Sequence, residues 1–197
     1  MSIRQRHPAD GRCQRGFTLV ELMVTLAVLA VILSLAVPSF AEMRRRNGVT
    51  AAANELVAAY QIARMEAVRR NMRVVMCPTE DGNACGGTDW ARLLVFADRD
   101  GDGAIDAGDD TVVRIVEVVR PGSGVVVTAS TNVAAAGQRI RFGADGLVRV
   151  GANRRGALSV CHADLTSNNT RDVEIVVSRV GVLTRNAANC GAYTDPA

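Results

Sequence analysis

The chain has no lysine; its 23 basic side chains other than histidine are all arginine. Aromatic residues make up only 4% of it, so the flat faces on which single-stranded nucleic acid stacks are scarce. Histidine occurs twice, at His7 and His162, and no two cysteines are separated by two residues, which argues against a zinc centre. There is no G-x-S-x-G nucleophile turn; Pro121-Gly122-Ser123-Gly124 reads as a turn between valine-rich strands. The adjacent acids Glu80-Asp81 and Asp109-Asp110 read as loop charge rather than an acid–base pair, and His162 reads as a surface residue beside Cys161. Catalysis is not expected. Nothing repeats, and no linker divides the second half of the chain.

What the sequence does have is a long apolar run near its start. Leu22 to Val37 carries no charge, and Phe17 to Val37 is interrupted only by Glu21. At 1.5 Å per residue the longer segment makes about 30 Å of helix, the hydrocarbon thickness of a bilayer. The preceding residues hold Arg4, Arg6, Arg12 and Arg15 against one acid, Asp10, a flank that stays cytoplasmic. A conventional secretory signal would be cut after the apolar stretch at small residues. Here such positions lie beyond Pro38 and Phe40, and the sharper junction is Gly16-Phe17, ahead of the run.

The sequence Gly16-Phe17-Thr18-Leu19-Val20-Glu21-Leu22-Met23-Val24 resembles the class III signal of type IV pilins and type II secretion pseudopilins. The resemblance implies cleavage after Gly16 by a prepilin peptidase, methylation of the new amino terminus at Phe17, and retention of the apolar helix. Glu21 is then fifth in the mature chain and Pro38 twenty-second, the places where pilins carry those residues. A carboxylate in an apolar span costs about 2.5–3.5 kcal/mol near the bilayer centre and is usually paired and functional. Its natural partner is the free α-ammonium of Phe17 on a neighbouring subunit; the plainer reading is a glutamate snorkelling from a helix end.

Loss of such a leader removes four arginines and one acid, leaving 19 arginines and 19 acids from the 23 and 20 of the whole chain. Bulk charge then gives no reason to expect a polyanionic partner. Cys13 leaves too, and Cys77, Cys85, Cys161 and Cys190 remain, an even number that in an oxidising compartment reads as two disulfides. Of three connectivities, Cys77–Cys85 with Cys161–Cys190 is the most local.

Beyond Pro38 the pattern becomes amphipathic. Val49, Ala52, Ala53, Leu56, Ala59, Tyr60, Ala63 and Ala67 recur at helical spacing, with an end expected near Arg70-Asn71. From Met72 the chain reads as valine-rich strands: 73–77, 90–97, 111–119, 125–129, 139–142, 147–150, 157–161, 173–178 and 182–184. Cys77-Pro78, Cys85-Gly86, Asp89-Trp90, Leu94-Val95-Phe96 and Phe142-Gly143-x-x-Gly146 resemble the GspH/FimT group of minor pilins and pseudopilins. The expected fold is α+β: a leader (1–16), a transmembrane and assembly helix (17–38) continuing as an amphipathic helix (39–72), packed on an antiparallel β-sheet head (73–197).

Asp98, Asp100, Asp102, Asp106 and Asp109 occupy positions 1, 3, 5, 9 and 12 of a twelve-residue calcium loop, with Gly103 at 6 and Ile105 at 8, as in an EF-hand. Aspartate replaces the usual glutamate at 12, and the flanks read as strands rather than helices. No cofactor is required by the expected role, and calcium is the one that this loop would accept; the alternative is a solvated hairpin loop.

The resemblance implies a minor structural subunit of a type IV pilus, placed at its tip and helping to prime assembly. Its partners would be other pilin or pseudopilin subunits, the prepilin peptidase and, before assembly, the inner membrane, with the head in the periplasm. The alternatives are a type II secretion pseudopilin and a DNA-binding minor pilin. DNA-binding members carry a G-R-x-R element near the C terminus. Here the corresponding stretch is Gly181-Val182-Leu183-Thr184-Arg185, with the first arginine missing and the second displaced. Arg154, Arg155, Arg179 and Arg185 are the remaining nucleic-acid candidates, within a region (111–197) whose ten arginines are interrupted by six acids.

Overall fold

The computed structural model describes residues 16–106, 108–165, 167, 169–186, 190 and 195. Residues 1–15 of the expected leader, with its four arginines and Cys13, lie outside the described residues. The chain divides into two compact units that meet between Phe40 and Ala41.

A single helix, α1 (Leu19–Arg70), runs through both units. It starts on a cap: Thr18 Oγ1 accepts the backbone N–H of Glu21 at 3.2 Å, satisfying one of the donors that a helix start leaves unpaired. Pro38 lies inside the helix, where its missing N–H removes the bond to the Ser34 carbonyl. The helix ends in a Schellman motif. Asn71 takes φ 52, its N–H donates to the Val68 carbonyl, and the N–H of Met72 reaches back to Ala67.

Within the first unit, the apolar side chains from Phe17 to Val37 are exposed. In the second, the buried residues of α1 are Val49, Ala52, Ala53, Leu56, Ala59, Tyr60, Ala63 and Ala67, the same eight that the helical spacing selects. Five are alanines, so the helix backbone comes close to the strands beneath it. Arg46 donates to Ser167 Oγ at 3.0 Å and Arg64 to the Ser178 carbonyl at 2.7 Å, which ties the helix to the loops of the head.

Among the described residues the head has nine strands: β1 (Arg73–Pro78), β2 (Arg92–Asp98), β3 (Thr111–Glu117), β4 (Val125–Ala129), β5 (Ile140–Phe142), β6 (Val148–Arg149), β7 (Arg155–His162), β8 (Thr170–Val176) and β9 (Arg179–Arg185). They form two antiparallel sheets rather than one. Their orders are β3-β2-β1-β5-β6 and β4-β7-β8-β9. Between β4 and β5 the chain makes a short helix, α2 (Thr131–Ala135), that the valine-rich pattern does not reveal. Its Val133 is buried against the core.

One apolar cluster joins the α1 stripe to both sheets, through Val74, Met76, Val95, Ile140 and Phe142 on the first and Val127, Leu158, Val160, Val173 and Ile175 on the second. Trp90 is fully buried and donates its indole N–H to Gln138 Oε1 at 2.9 Å. A second cluster lies on the opposite face of the first sheet: Val75, Cys77, Leu94 and Phe96, covered by Cys85 and Ile105. This cover is why β1 and β2 are buried almost continuously, where a strand with one wet face would alternate.

His162, expected at the surface, is buried at 4% exposure. It pairs across the sheet with Val125, and its Nδ1 accepts the N–H of Asp164 at 3.2 Å. Gly124, at φ +73, lies against the imidazole, where a Cβ would approach Nε2 to 2.9 Å.

Candidate functional site

The first site is the exposed start of α1. Gly16 has open space around it, and Phe17 is 84% exposed. Glu21 follows one helical turn later, the only charged residue between Phe17 and Val37. Thr18-x-x-Glu21 is also a capping-box spacing, so local helix chemistry alone gives glutamate a place here. The helix is long and apolar enough to cross a membrane.

The second site is the Asp-rich connection between β2 and β3. Asp98 is the last residue of β2 and points to the same face as Leu94 and Phe96, so its side chain is fully buried. Its Oδ1 accepts the N–H of Gly101 at 2.7 Å; its Oδ2 has no hydrogen bond and lies 3.9 Å from Arg73 Nη1. Burial pushes this carboxyl above the usual aspartate range, against the pull of the Gly101 N–H and Arg73. Asp106 is also pushed up, first by the Asp102 carboxylate, then by desolvation and its other acidic neighbours.

Ligand oxygens of Asp98, Asp100 and Asp102 lie within 4.8 Å of one another, as do those of Asp100, Asp106 and Asp110. Asp109 is exposed and belongs to neither group. The neighbour that the loop spacing passes over, Asp110, takes the place instead, accepting the backbone N–H groups of Arg99 at 2.9 Å and Asp106 at 3.0 Å. The adjacent acids Asp109-Asp110 are the only sequence signal for this, and they do not say which of the two turns inward.

Arginines hold the loop from outside. Arg73 donates to the Gly101 carbonyl at 2.5 Å and Arg139 to the Gly103 carbonyl at 2.7 Å. Ile105, two residues beyond Gly103, packs on the Val75–Phe96 cluster. Gly101, at φ +88, lies against the Arg73 guanidinium, where a Cβ would collide with it. Neither clamp was legible, because Arg73 of β1 and Arg139, just before β5, are distant from the loop in sequence.

Of the four nucleic-acid candidates, the structure gathers three. Arg155 of β7 and Arg179 of β9 flank Val176 of β8 in one cross-strand row, with Arg154 adjacent, and all three are exposed. Arg185 is at the other end of β9, and its Nε donates to the buried Asp172 carboxylate at 2.6 Å.

The disulfides are Cys77–Cys85 and Cys161–Cys190, with Cα separations of 5.6 and 5.5 Å. The first fastens the cover over the outer face of β1; the second ties Cys190 to β7.

Two family models match the chain: type II transport protein GspH over residues 52–181, and the prokaryotic N-terminal methylation motif over residues 11–37. A fimbrial protein of Pseudomonas aeruginosa is 32% identical over 68 residues, covering 34% of this chain and 44% of that protein. The pilin-like protein PilA1 of Thermus thermophilus is 34% identical over 97 residues, covering 49% and 56%. The chain thus matches about half the length of each. Among solved structures, the type IV minor pilin FimU of Pseudomonas aeruginosa superposes with a TM-score of 0.52 at 21% identity, covering 75% of this chain and 97% of that one. That likeness establishes a shared pilin-like α+β fold.

Proposed function

We propose a role from one premise: the chain belongs to the GspH family of type II transport proteins and carries the prokaryotic N-terminal methylation motif. It is a minor subunit of a type IV pilus, inserted at the tip, where it helps to prime assembly. A prepilin peptidase cuts after Gly16, and the new α-amino group of Phe17 is methylated. Before assembly the apolar half of α1 anchors the chain in the inner membrane, with the head in the periplasm.

The observation that carries this reading is Glu21, one exposed charge near the start of an apolar segment whose side chains are exposed as well. An uncompensated carboxylate in hydrocarbon is costly, and the terminal ammonium of a neighbouring subunit would neutralise it once both helices pack in a filament. The cap on Thr18 uses only the Glu21 backbone, so the carboxylate stays available for that partner.

Glu21→Val tests the role. The substitution makes the segment more apolar, so membrane insertion should persist while the variant disappears from sheared pili; incorporation at the wild-type level overturns the assembly role. Gly16→Ala should leave a precursor with its leader attached. The family's own description favours a second machine, the pseudopilus of a type II secretion system, which uses the same assembly chemistry. Recovery of the protein in sheared surface pili selects the first machine. A secretion defect with no protein in surface pili selects the second.

A further inference from the structure

We infer that the β2–β3 loop is a calcium site built from Asp98, Asp100, Asp102, Asp106 and Asp110, with Asp100 shared between its two halves. The two groups of carboxylates, each with ligand oxygens within 4.8 Å of one another, have Asp100 in common, so an ion held by either group lies beside the other. An acidic cluster at a surface needs no ion, since water and arginine can disperse its charge. The buried end of this one is different. Asp98 has a fully buried side chain, and its Oδ2 accepts no hydrogen bond. Arg73 forms only a long ion pair with it at 3.9 Å, beyond hydrogen-bond reach, and its Nη1 is directed to the Gly101 carbonyl. A buried carboxylate oxygen without a donor is an expensive arrangement unless a cation meets it.

The donor set identifies the ion. All five ligands are carboxylates, hard oxygen donors that suit calcium and magnesium rather than zinc or copper. The Asp110 oxygens each accept one backbone N–H and keep a second lone pair for a metal. Two groups joined at one residue form an irregular cage, which calcium tolerates and magnesium, with its strict octahedral geometry, does not. The assignment is independent of which machine the protein serves.

The test uses the full chain in detergent, stripped with a chelator and titrated with calcium chloride, with unfolding followed by the fluorescence of Trp90, the single tryptophan. Calcium should raise the unfolding midpoint saturably. A hundredfold excess over Kd lowers the unfolding constant about a hundredfold. Asp100→Asn should abolish the rise and Asp109→Asn should keep it; calorimetric titration of folded Asp106→Asn protein should show weakened binding. No rise at millimolar calcium, an equal rise with magnesium, or loss of the rise in Asp109→Asn would each overturn the site.

Discussion

Tyr60 of α1 meets Phe142 of β5 edge to face, with ring centroids 5.1 Å apart and planes inclined by 71°. Both rings are fully buried, and the Tyr60 hydroxyl has no hydrogen-bond partner among the described residues. Desolvation also pushes its pKa above the usual phenol value. Ring and hydroxyl therefore act in opposite directions, since the ring joins helix to sheet while the hydroxyl is buried at a cost. Tyr60→Phe should leave stability unchanged or slightly higher. Tyr60→Ala should lower it by about 3–5 kcal/mol. Denaturant unfolding followed by Trp90 fluorescence checks both, and a marked loss in the phenylalanine variant would reveal a role for the hydroxyl.

The two disulfides should differ in what they contribute. Closing the longer Cys161–Cys190 loop stabilises by about 3.5 kcal/mol in the chain-entropy model, and the shorter Cys77–Cys85 loop by about 2.5 kcal/mol. Serine pairs at each site should reproduce that order in equilibrium unfolding. Non-reducing peptide mapping should recover only these two links, and a Cys85–Cys161 link would require the C-terminal strands to be placed differently.

Glu66 sits in the last turns of α1 between two arginines: Arg69 donates to it at 3.0 and 2.7 Å and Arg70 at 2.6 Å. The hydrogen bonds from Arg69 and then Arg70 lower its pKa from 4.5 to about 2. A carboxyl with a depressed folded pKa adds stability that is fully present above its unfolded value and is lost as pH falls through the folded one. That window runs from about pH 4.5 down to about 2. Because Arg69 is largely exposed, water screens the pair, and the effect should be about 0.5–1 kcal/mol. Glu66→Gln should be less stable by that amount at neutral pH and match the parent near pH 2; a constant difference across the window would assign the loss to packing.

Nucleic acid should bind weakly. Arg154, Arg155 and Arg179 offer a small basic end to the second sheet, while Arg185 is engaged by Asp172. A few phosphate contacts give affinity that falls steeply with salt, with a slope of about 0.9 per contact on logarithmic scales. Duplex DNA titrated at low and physiological salt should show micromolar or weaker binding that disappears at the higher value. Submicromolar affinity that survives salt and falls in Arg154→Gln/Arg155→Gln would make this a DNA-capturing subunit.

The sequence by itself determined the features written by short-range periodicity. All eight buried α1 residues recur at steps of three and four, the span that a helix presents to one side. Its end at Arg70 is also local, since Asn71 tolerates the left-handed conformation that closes a helix. The strands lie close to their valine-rich runs for the same reason, and the local cysteine pairing holds.

Only the tertiary structure decided what depends on residues distant in the chain. Valine alternation marks strands without saying which will pair, so the division into two sheets is fixed by β1 hydrogen-bonding to β5 and β4 to β7. His162 is buried because Val125 and Gly124 arrive beside it, and Arg185 is neutralised because β8 places Asp172 within reach. In the Asp-rich loop, twelve-residue spacing selects Asp109, but the antiparallel meeting of β2 and β3 turns Asp110 inward toward the Arg99 and Asp106 amides. Spacing along a chain fixes the face of a helix or strand; which groups meet across a loop is fixed by the strands that hold its ends.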